Sequence, residues 1–127
     1  MSTIKILSQI AQMLLRRNNL NQQIIAGGTD IIPNLKNRLY DVDRLINISK
    51  IPELNTIELA KDFLAMGATT KIAEVALNKN IKKNYFALHL AANNIASPQI
   101  RNVATVGGNI CLDTRCLYFN QSSFWRE

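Results

Sequence analysis

The sequence has few of the residues that most often carry chemistry on their own. Its 127 residues include one histidine, His89, and two cysteines, Cys111 and Cys116. Two cysteines cannot complete a four-ligand metal site. In a reducing cytoplasm they fit a metal or cluster ligand, or plain packing, better than a disulfide. His89 is predicted to lie on a helix as a packed or half-exposed side chain, so we assign it no role.

Long apolar runs are also missing. The run over 6–15 is interrupted by Ser8, Gln9 and Gln12 and is too short to cross a bilayer. Only Lys5 precedes it as a charged residue and no small-residue cleavage site follows, so a secretory signal is not expected either. The expected compartment is the cytoplasm, with no membrane partner.

The positive charge has no pattern typical of nucleic-acid binding. The net charge is +6, but the 15 basic residues are scattered, with adjacent pairs only at Arg16–Arg17 and Lys82–Lys83. The few aromatic residues, 6% of the chain, are not interleaved with those pairs. We therefore expect no nucleic-acid partner and interpret the charge as a solvated surface, with acidic partners as the alternative.

The composition, 47% apolar and 19% charged, is that of a globular protein with a modest core. Apolar spacing predicts a helix over 4–15, a strand over 22–26, a helix starting at Thr29 or Asp30, and strands over 45–48, 55–59 and 62–66. Thr69 or Thr70 is expected to cap a short helix that ends at Leu77. One amphipathic helix is then expected over 82–96, stopped by Ser97–Pro98. A change of pattern near 51–53 divides the chain into subdomains 1–53 and 54–127.

The five glycines fall in three places: Gly27–Gly28, Gly67 and Gly107–Gly108. A Gly-Gly pair between a strand and a helix can present free N–H groups to a phosphate, although it is also an efficient turn. The first pair lacks the spacing of a dinucleotide-binding Rossmann fingerprint. The second pair has the Thr105 hydroxyl before it and the Asn109 amide after it, and both can bond phosphate or ribityl oxygens.

Three segments carry a resemblance to a known family: Ala-Gly-Gly-Thr-Asp at 26–30, Gly-Ala-Thr-Thr at 67–70, and Arg-Asn-Val-Ala-Thr-Val-Gly-Gly-Asn at 101–109. Together they resemble the FAD-binding (PCMH-type) domain of molybdenum hydroxylase flavin subunits, a family that includes xanthine and carbon monoxide dehydrogenases. The likeness runs over nearly the whole chain. It implies an α+β fold, with a small α/β subdomain followed by an incomplete second α+β subdomain whose sheet is mainly antiparallel.

The resemblance implies FAD as cofactor and assigns no acid, base or nucleophile. The first segment would hold the pyrophosphate, the second would line the flavin's surroundings, and the third would bind phosphate and ribityl groups. Arg101 either approaches a phosphate or the flavin, or orients its loop through backbone carbonyls. The implied cofactor-binding residues are Ile25, Ala26, Gly27, Gly28, Thr29, Asp30 and Ile31, then Gly67, Ala68 and Thr69, then Thr105, Val106, Gly107, Gly108 and Asn109.

The tail is similar to a narrower branch, the β subunit of 4-hydroxybenzoyl-CoA reductase, through Cys-Leu-Asp-Thr-Arg-Cys at 111–116 and the segments 118–122 and 125–126. This likeness implies that Cys116 is the first of four ligands of a [4Fe-4S] cluster in the full-length protein, the other three lying beyond Glu127. Phe124 and Trp125 stand close to the end of the chain, so we interpret the sequence as an N-terminal fragment.

The implied function is that of an FAD-binding electron-transfer subunit of a molybdenum-dependent oxidoreductase. Electrons would pass between FAD, iron–sulfur clusters and a molybdenum cofactor, the partners being a molybdopterin-binding large subunit and a [2Fe-2S] small subunit. Ferredoxin or NAD is the implied external electron partner. The isolated chain is expected to be inactive. One alternative is a truncated remnant that binds no flavin, and another is a small module that binds a phosphate ligand without flavin.

Overall fold

The computed structural model describes residues 21–112, which combine two small sheets with short helices. The first unit is a β-α-β arrangement in which two strands pair in parallel, with Gln22 opposite Arg44 and Ile25 opposite Asn47. The helix between them is the crossover that a parallel pair requires. Its elements are β1 (Gln22–Ile25), α1 (Ile31–Lys36) and β2 (Arg44–Asn47). The predicted strands and intervening helix are confirmed, while the helix expected over 4–15 lies outside the described residues.

Helix α1 is short because both ends are specified locally. Pro33 is its third residue, in the first turn, where a missing N–H costs no intrahelical hydrogen bond. At the other end Arg38 adopts a φ of 53°. This left-handed residue lets the Leu39 N–H donate to the Asn34 carbonyl at 2.9 Å, which closes the helix and turns the chain towards β2.

The second sheet is a hairpin that follows a 3-10 turn. The turn spans Pro52–Leu54, and the strands are β3 (Ile57–Leu59) and β4 (Leu64–Met66), paired antiparallel. The Ala60 N–H donates to the Phe63 carbonyl at 2.9 Å and closes the loop at the charged turn that the sequence predicts. The subdomain boundary between 53 and 54 stays a prediction.

Up to residue 112, where the described part of the chain ends, five helices follow the hairpin: α2 (Ile72–Leu77), α3 (Lys79–Asn84), α4 (Phe86–Asn94), α5 (Pro98–Arg101) and α6 (Val106–Ile110). Side chains of α2, α3, α4 and α6 form one core with the hairpin, because half-buried side chains of β3 and β4 pack against the buried residues. The buried members of this core are Ile72, Val75, Ala76, Ile81, Ala92 and Ala104. In the part of the chain that the structure describes, no helix has the length and apolar character needed to cross a membrane.

The single helix predicted over 82–96 is wrong. The chain forms α3 and α4 instead, separated at Tyr85, whose φ of −135° and ψ of 56° are not helical. Helix α3 begins early because the Asn78 side chain accepts hydrogen bonds from the N–H groups of Asn80 and Ile81, at 2.9 and 3.1 Å. The apolar spacing continues across Tyr85 because both helices pack on the same core, and this hides the break.

The predicted cap of α2 is also wrong. Neither Thr69 nor Thr70 occupies that position; the helix begins after Lys71, whose N–H donates to the Glu74 carboxylate at 3.3 Å. The Thr70 hydroxyl turns inward and donates to the Thr56 carbonyl at 3.0 Å. That hydrogen bond joins the segment before α2 to the segment before β3, so the Thr70 hydroxyl stabilises the tertiary structure and does not cap the helix.

Ile81 is expected to be a major source of stability, because its side chain is fully buried, at 0% exposure, among the helices. Ile81→Ala should lower the free energy of unfolding by about 2–5 kcal/mol through lost burial and the cavity left behind. Leu77→Ala is the matched control, since Leu77 is 80% exposed and its truncation should cost about 0.5 kcal/mol or less. Urea unfolding followed by circular dichroism measures both; equal losses would contradict the described core.

Candidate functional site

The three glycine segments, which are distant in sequence, meet in the structure. We call residues 25–31 the first loop, 67–69 the second loop and 105–109 the third loop. Gly27 of the first loop lies against the backbone of Val103 and Ala104, which directly precede the third loop. A Cβ on Gly27 would collide with the Val103 carbonyl oxygen, and would lie 3.0 Å from the Val103 carbonyl carbon and 3.2 Å from the Ala104 Cα. Only glycine allows this approach of two backbones.

The second and third loops are joined by backbone hydrogen bonds. The Gly107 N–H donates to the Ala68 carbonyl at 2.8 Å, and the Val106 N–H donates to the Thr70 carbonyl at 2.9 Å. An isolated antiparallel bridge pairs Lys71 with Thr105 beside them. A side chain at Gly107 would meet the Ala68 carbonyl oxygen at 2.9 Å, so this contact also requires glycine.

The second loop is in turn fixed to the hairpin unit. The Gly67 N–H donates to the Thr56 carbonyl at 2.8 Å, and the Thr69 N–H donates to the Leu54 carbonyl at 2.9 Å. Both acceptors lie in the segment between the 3-10 turn and β3. The second loop is therefore held from the hairpin side and from the third-loop side at the same time.

The first loop keeps its backbone donors available. Within residues 21–112, the N–H groups of Ala26, Gly27, Gly28 and Thr29 donate no hydrogen bond. All four residues are half-buried. Unpaired N–H groups that are partly removed from water are costly unless a ligand accepts from them, so the donor set suits an anionic or strongly accepting group.

The third loop differs from the first because its backbone N–H groups from Val106 to Asn109 are already used. Besides Val106 and Gly107, the Gly108 N–H donates to the Thr105 hydroxyl oxygen at 3.2 Å and the Asn109 N–H to the Thr105 carbonyl at 2.9 Å. The bond to the Gly108 N–H makes Thr105 the N-cap of α6. The exposed Asn109 side chain is what this loop offers a ligand.

Thr69 contributes an unsatisfied polar atom to the second loop. Its side chain is only 3% exposed, and its hydroxyl oxygen has no hydrogen-bond partner. A buried hydroxyl without a partner costs about 1–3 kcal/mol. Such an unpaired hydroxyl is rare in a folded protein, and here it belongs to the second of the three loops that the sequence selects.

Asp30 is placed as the sequence predicts, at the start of α1, but its side chain makes no capping hydrogen bond to the helix. The Thr29 hydroxyl donates to the Asp30 carboxylate at 3.3 Å. Ile25, the last residue of β1, and Ile31, the first of α1, frame the first loop. The cofactor-binding roles of these residues stay predictions.

Of the two roles expected for Arg101, the structure shows the second, in which the side chain orients its loop through backbone carbonyls. Its guanidinium donates to the carbonyl of Ile95 at 2.8 Å and to that of Ala96 at 3.3 Å. Ala96 has a φ of 43°, and the guanidinium fixes this turn between α4 and α5. Ser97 accepts the Ile100 N–H at 3.3 Å and caps α5, so the expected stop at 97–98 is confirmed and a new helix begins there.

Of the two cysteines, only Cys111 lies within the described residues. Cys111 is an exposed free thiol, whereas Cys116, the implied cluster ligand, lies outside the described residues. Within 21–112, no group of three His, Cys, Asp or Glu side chains is placed to hold a metal ion. The assignment of Cys116 stays a prediction.

Two residues outside the predicted set, Lys71 and Val103, lie where the first loop approaches the segment that precedes the third loop. The Lys71 ammonium donates to the Val103 carbonyl at 3.3 Å, the same carbonyl that lies against Gly27. Lys71 follows the second-loop motif directly, so its position next to Thr69-Thr70 was the available signal. Val103 acts through its backbone, which no side-chain pattern reveals.

Replacing Gly27 by alanine should separate the first loop from its neighbour, because the added methyl group meets the Val103 carbonyl. We expect Gly27→Ala to lower the free energy of unfolding by about 1–3 kcal/mol through overpacking. Gly108→Ala is the control, since its methyl group meets only the Thr105 hydroxyl, at 3.0 Å, and should change stability far less. Chemical denaturation measures both, and a Gly27→Ala chain as stable as the wild type would exclude the close approach.

Comparison with known proteins places this geometry in a family. Residues 3–116 match the family described as FAD binding domain in molybdopterin dehydrogenase. The nicotinate dehydrogenase FAD-subunit of Eubacterium barkeri is 33% identical over 106 residues, which are 84% of this chain and 36% of that subunit. The xanthine dehydrogenase FAD-binding subunit of Escherichia coli O157:H7 is 38% identical over 95 residues, 74% of this chain and 32% of that subunit. The chain thus spans about a third of the length of these relatives.

The fold is similar to that of a solved carbon monoxide dehydrogenase chain from Hydrogenophaga pseudoflava. The TM-score is 0.73 at 30% identity, and the match covers 80% of this chain and 35% of that one. The expected PCMH-type α+β fold is confirmed. Because the family match takes in nearly all of the sequence, the chain belongs to the family of FAD-binding domains of molybdopterin dehydrogenases, whose cofactor is FAD.

Proposed function

We propose that this chain forms the FAD-binding part of an electron-transfer subunit in a molybdenum-dependent oxidoreductase, of the xanthine dehydrogenase or 4-hydroxybenzoyl-CoA reductase type. The observation that carries the proposal is the meeting of three loops around unused polar groups. The first loop keeps four N–H donors, and the second loop keeps the buried Thr69 hydroxyl. Family membership supplies the identity of the ligand.

The first loop binds the pyrophosphate of FAD in this proposal. Its N–H groups are neutral donors grouped on a half-buried backbone, where hydrogen bonds to a charged acceptor are stronger than those between neutral groups. The close approach of Gly27 to Val103 holds this loop against the third-loop side. The donors are therefore preorganised before the ligand arrives, which lowers the ordering cost of binding.

The second and third loops bind the remainder of the cofactor. The Thr69 hydroxyl lies on a backbone fixed by two neighbours, so it donates to a flavin or ribityl oxygen from a defined position. Asn109 supplies a side-chain amide for ribityl or phosphate oxygens. Thr105 serves mainly to hold α6, because its oxygen already accepts the Gly108 N–H.

FAD supplies the redox chemistry, while the protein binds and positions it. By analogy with the relatives, electrons pass between FAD, iron–sulfur clusters and a molybdenum cofactor on a molybdopterin-binding large subunit and a [2Fe-2S] small subunit. Ferredoxin or NAD serves as the external electron partner, and the complex works in the cytoplasm. A [4Fe-4S] cluster ligated by Cys116 and the division into subdomains 1–53 and 54–127 belong to the same proposal.

FAD binding is tested by titrating the purified 127-residue chain and following flavin absorbance and the quenching of flavin fluorescence. We expect saturable binding at one FAD per chain. Riboflavin, which lacks the diphosphate, should bind more weakly because it cannot use the first-loop donors. If FAD shows no saturable binding, the proposal is wrong for this chain and the alternative of a remnant that binds no flavin is favoured.

The role of Thr69 is tested by comparing it with its neighbour Thr70. Thr69→Val removes an unpaired buried hydroxyl, so the free chain should be as stable as the wild type or more so, whereas FAD should bind about 10-fold more weakly. Thr70→Val breaks the hydrogen bond to Thr56 and should cost about 1 kcal/mol of stability in the free chain. Thermal melts with and without FAD measure both effects. A Thr69→Val chain with unchanged FAD affinity would remove the hydroxyl from the site.

A further inference from the structure

Lys71 lies at the meeting point of the three loops. It lies two residues after the second loop, and its backbone pairs with Thr105 of the third loop through the isolated bridge. Its ammonium donates to the Val103 carbonyl at 3.3 Å. That same carbonyl lies against the Cα of Gly27 in the first loop. The lysine therefore brings a positive charge to the edge of the loop with the unused N–H donors.

The contact with Val103 leaves most of the ammonium's bonding capacity free. A lysine carries three N–H donors, and the Val103 carbonyl is a neutral acceptor that takes one of them. Lys71 as a residue is half-buried, and its contact with Val103 lies at an exposed position that a ligand can reach. An anionic group beside Gly27 would satisfy both the charge and the remaining donors.

Arg101, a second cation near the third loop within residues 21–112, is directed towards the backbone. Its guanidinium donates through one nitrogen to the carbonyls of Ile95 and Ala96, where it fixes the turn between α4 and α5. The first-loop donors are neutral N–H groups, which bind an anion but do not neutralise its charge. Lys71 is placed to supply a positive charge to a diphosphate held there.

We propose that the Lys71 ammonium binds the diphosphate of FAD and so favours the dinucleotide over flavins that lack phosphate. This inference rests on the proposed function. The ammonium keeps its hydrogen bond to Val103 and directs a second N–H towards a phosphate oxygen at the first loop. Lys71 thereby contacts both the Val103 carbonyl, which lies against Gly27, and the charged group of the ligand.

A purely structural role makes different predictions. If Lys71 only holds the Val103 carbonyl in place, its loss weakens FAD by loosening the first loop, and the salt dependence of the FAD dissociation constant should stay unchanged. If Lys71 binds the diphosphate, its loss also removes a positive charge from the site. The dependence of the FAD dissociation constant on ionic strength should then become flatter, because one charge–charge contact is gone.

The test is an FAD titration of the full 127-residue chain and three variants, at about 50 and 500 mM KCl to vary charge screening. Lys71→Met keeps the apolar stem and removes the charge, and it should raise the FAD dissociation constant about 10-fold at low salt and less at high salt. Lys71→Arg keeps the charge and should retain most of the affinity. Lys79→Met is the matched control, since it removes the same charge from an exposed position on α3 and should leave the dissociation constant unchanged.

Each outcome decides the point. An unchanged dissociation constant in Lys71→Met, or equal losses in Lys71→Met and Lys71→Arg, would overturn the inference while leaving the proposed function intact. Equal losses in Lys71→Met and Lys79→Met would attribute the effect to net charge and would also overturn it. Absence of FAD binding by the wild-type chain would overturn the proposed function, and the inference with it.

Discussion

Three backbone hydrogen bonds set the geometry on which the site depends. The Ile72 N–H donates to the Ala104 carbonyl at 3.0 Å, the Val106 N–H to the Thr70 carbonyl at 2.9 Å, and the Gly107 N–H to the Ala68 carbonyl at 2.8 Å. They hold the second loop against the third without any side chain. Because these bonds fix the backbone around Val103 and Ala104, Gly27 packs against a defined backbone and the position of the first loop is set.

The site divides its polar groups between holding itself together and receiving a ligand. Four N–H groups of the third loop donate to oxygens of Thr70, Ala68 and Thr105. In the first loop, four N–H groups donate no hydrogen bond within the described residues. One N–H group rarely serves two strong acceptors well, so a loop that is braced through its backbone must bind through side chains. The two Gly-Gly pairs, which look equivalent in sequence, therefore differ in one respect: both allow close backbone packing, at Gly27 and at Gly107, but only the first pair leaves its N–H groups unpaired within residues 21–112.

Much of this arrangement could be predicted from the sequence, because the strands and loops are specified by residues close together in the chain. Short apolar runs and turn residues located the four strands, and the grouped glycines located all three loops. The break at Tyr85 was hidden because helices α3 and α4 share one core and keep the same apolar spacing. The role of Val103 was also inaccessible, since it depends on a backbone contact with Gly27 between segments far apart in the chain. The position of Lys71 beside Thr70 could have drawn attention to it, but its contact with Val103 could not be predicted. The sequence likewise could not show that the donors of the third loop are already paired.

The contact of Gly27 with Val103 has a consequence for how the cofactor is acquired. Its two sides lie near opposite ends of the described chain, so closing it requires ordering most of the intervening polypeptide. Contacts of such large sequence separation form late in folding. During synthesis the first loop leaves the ribosome long before its partner segment, and domains made N-terminus first must wait for the later part to complete such contacts. We therefore expect a ligand of the first loop to bind only after the segment around Val103 has been made and has closed against Gly27.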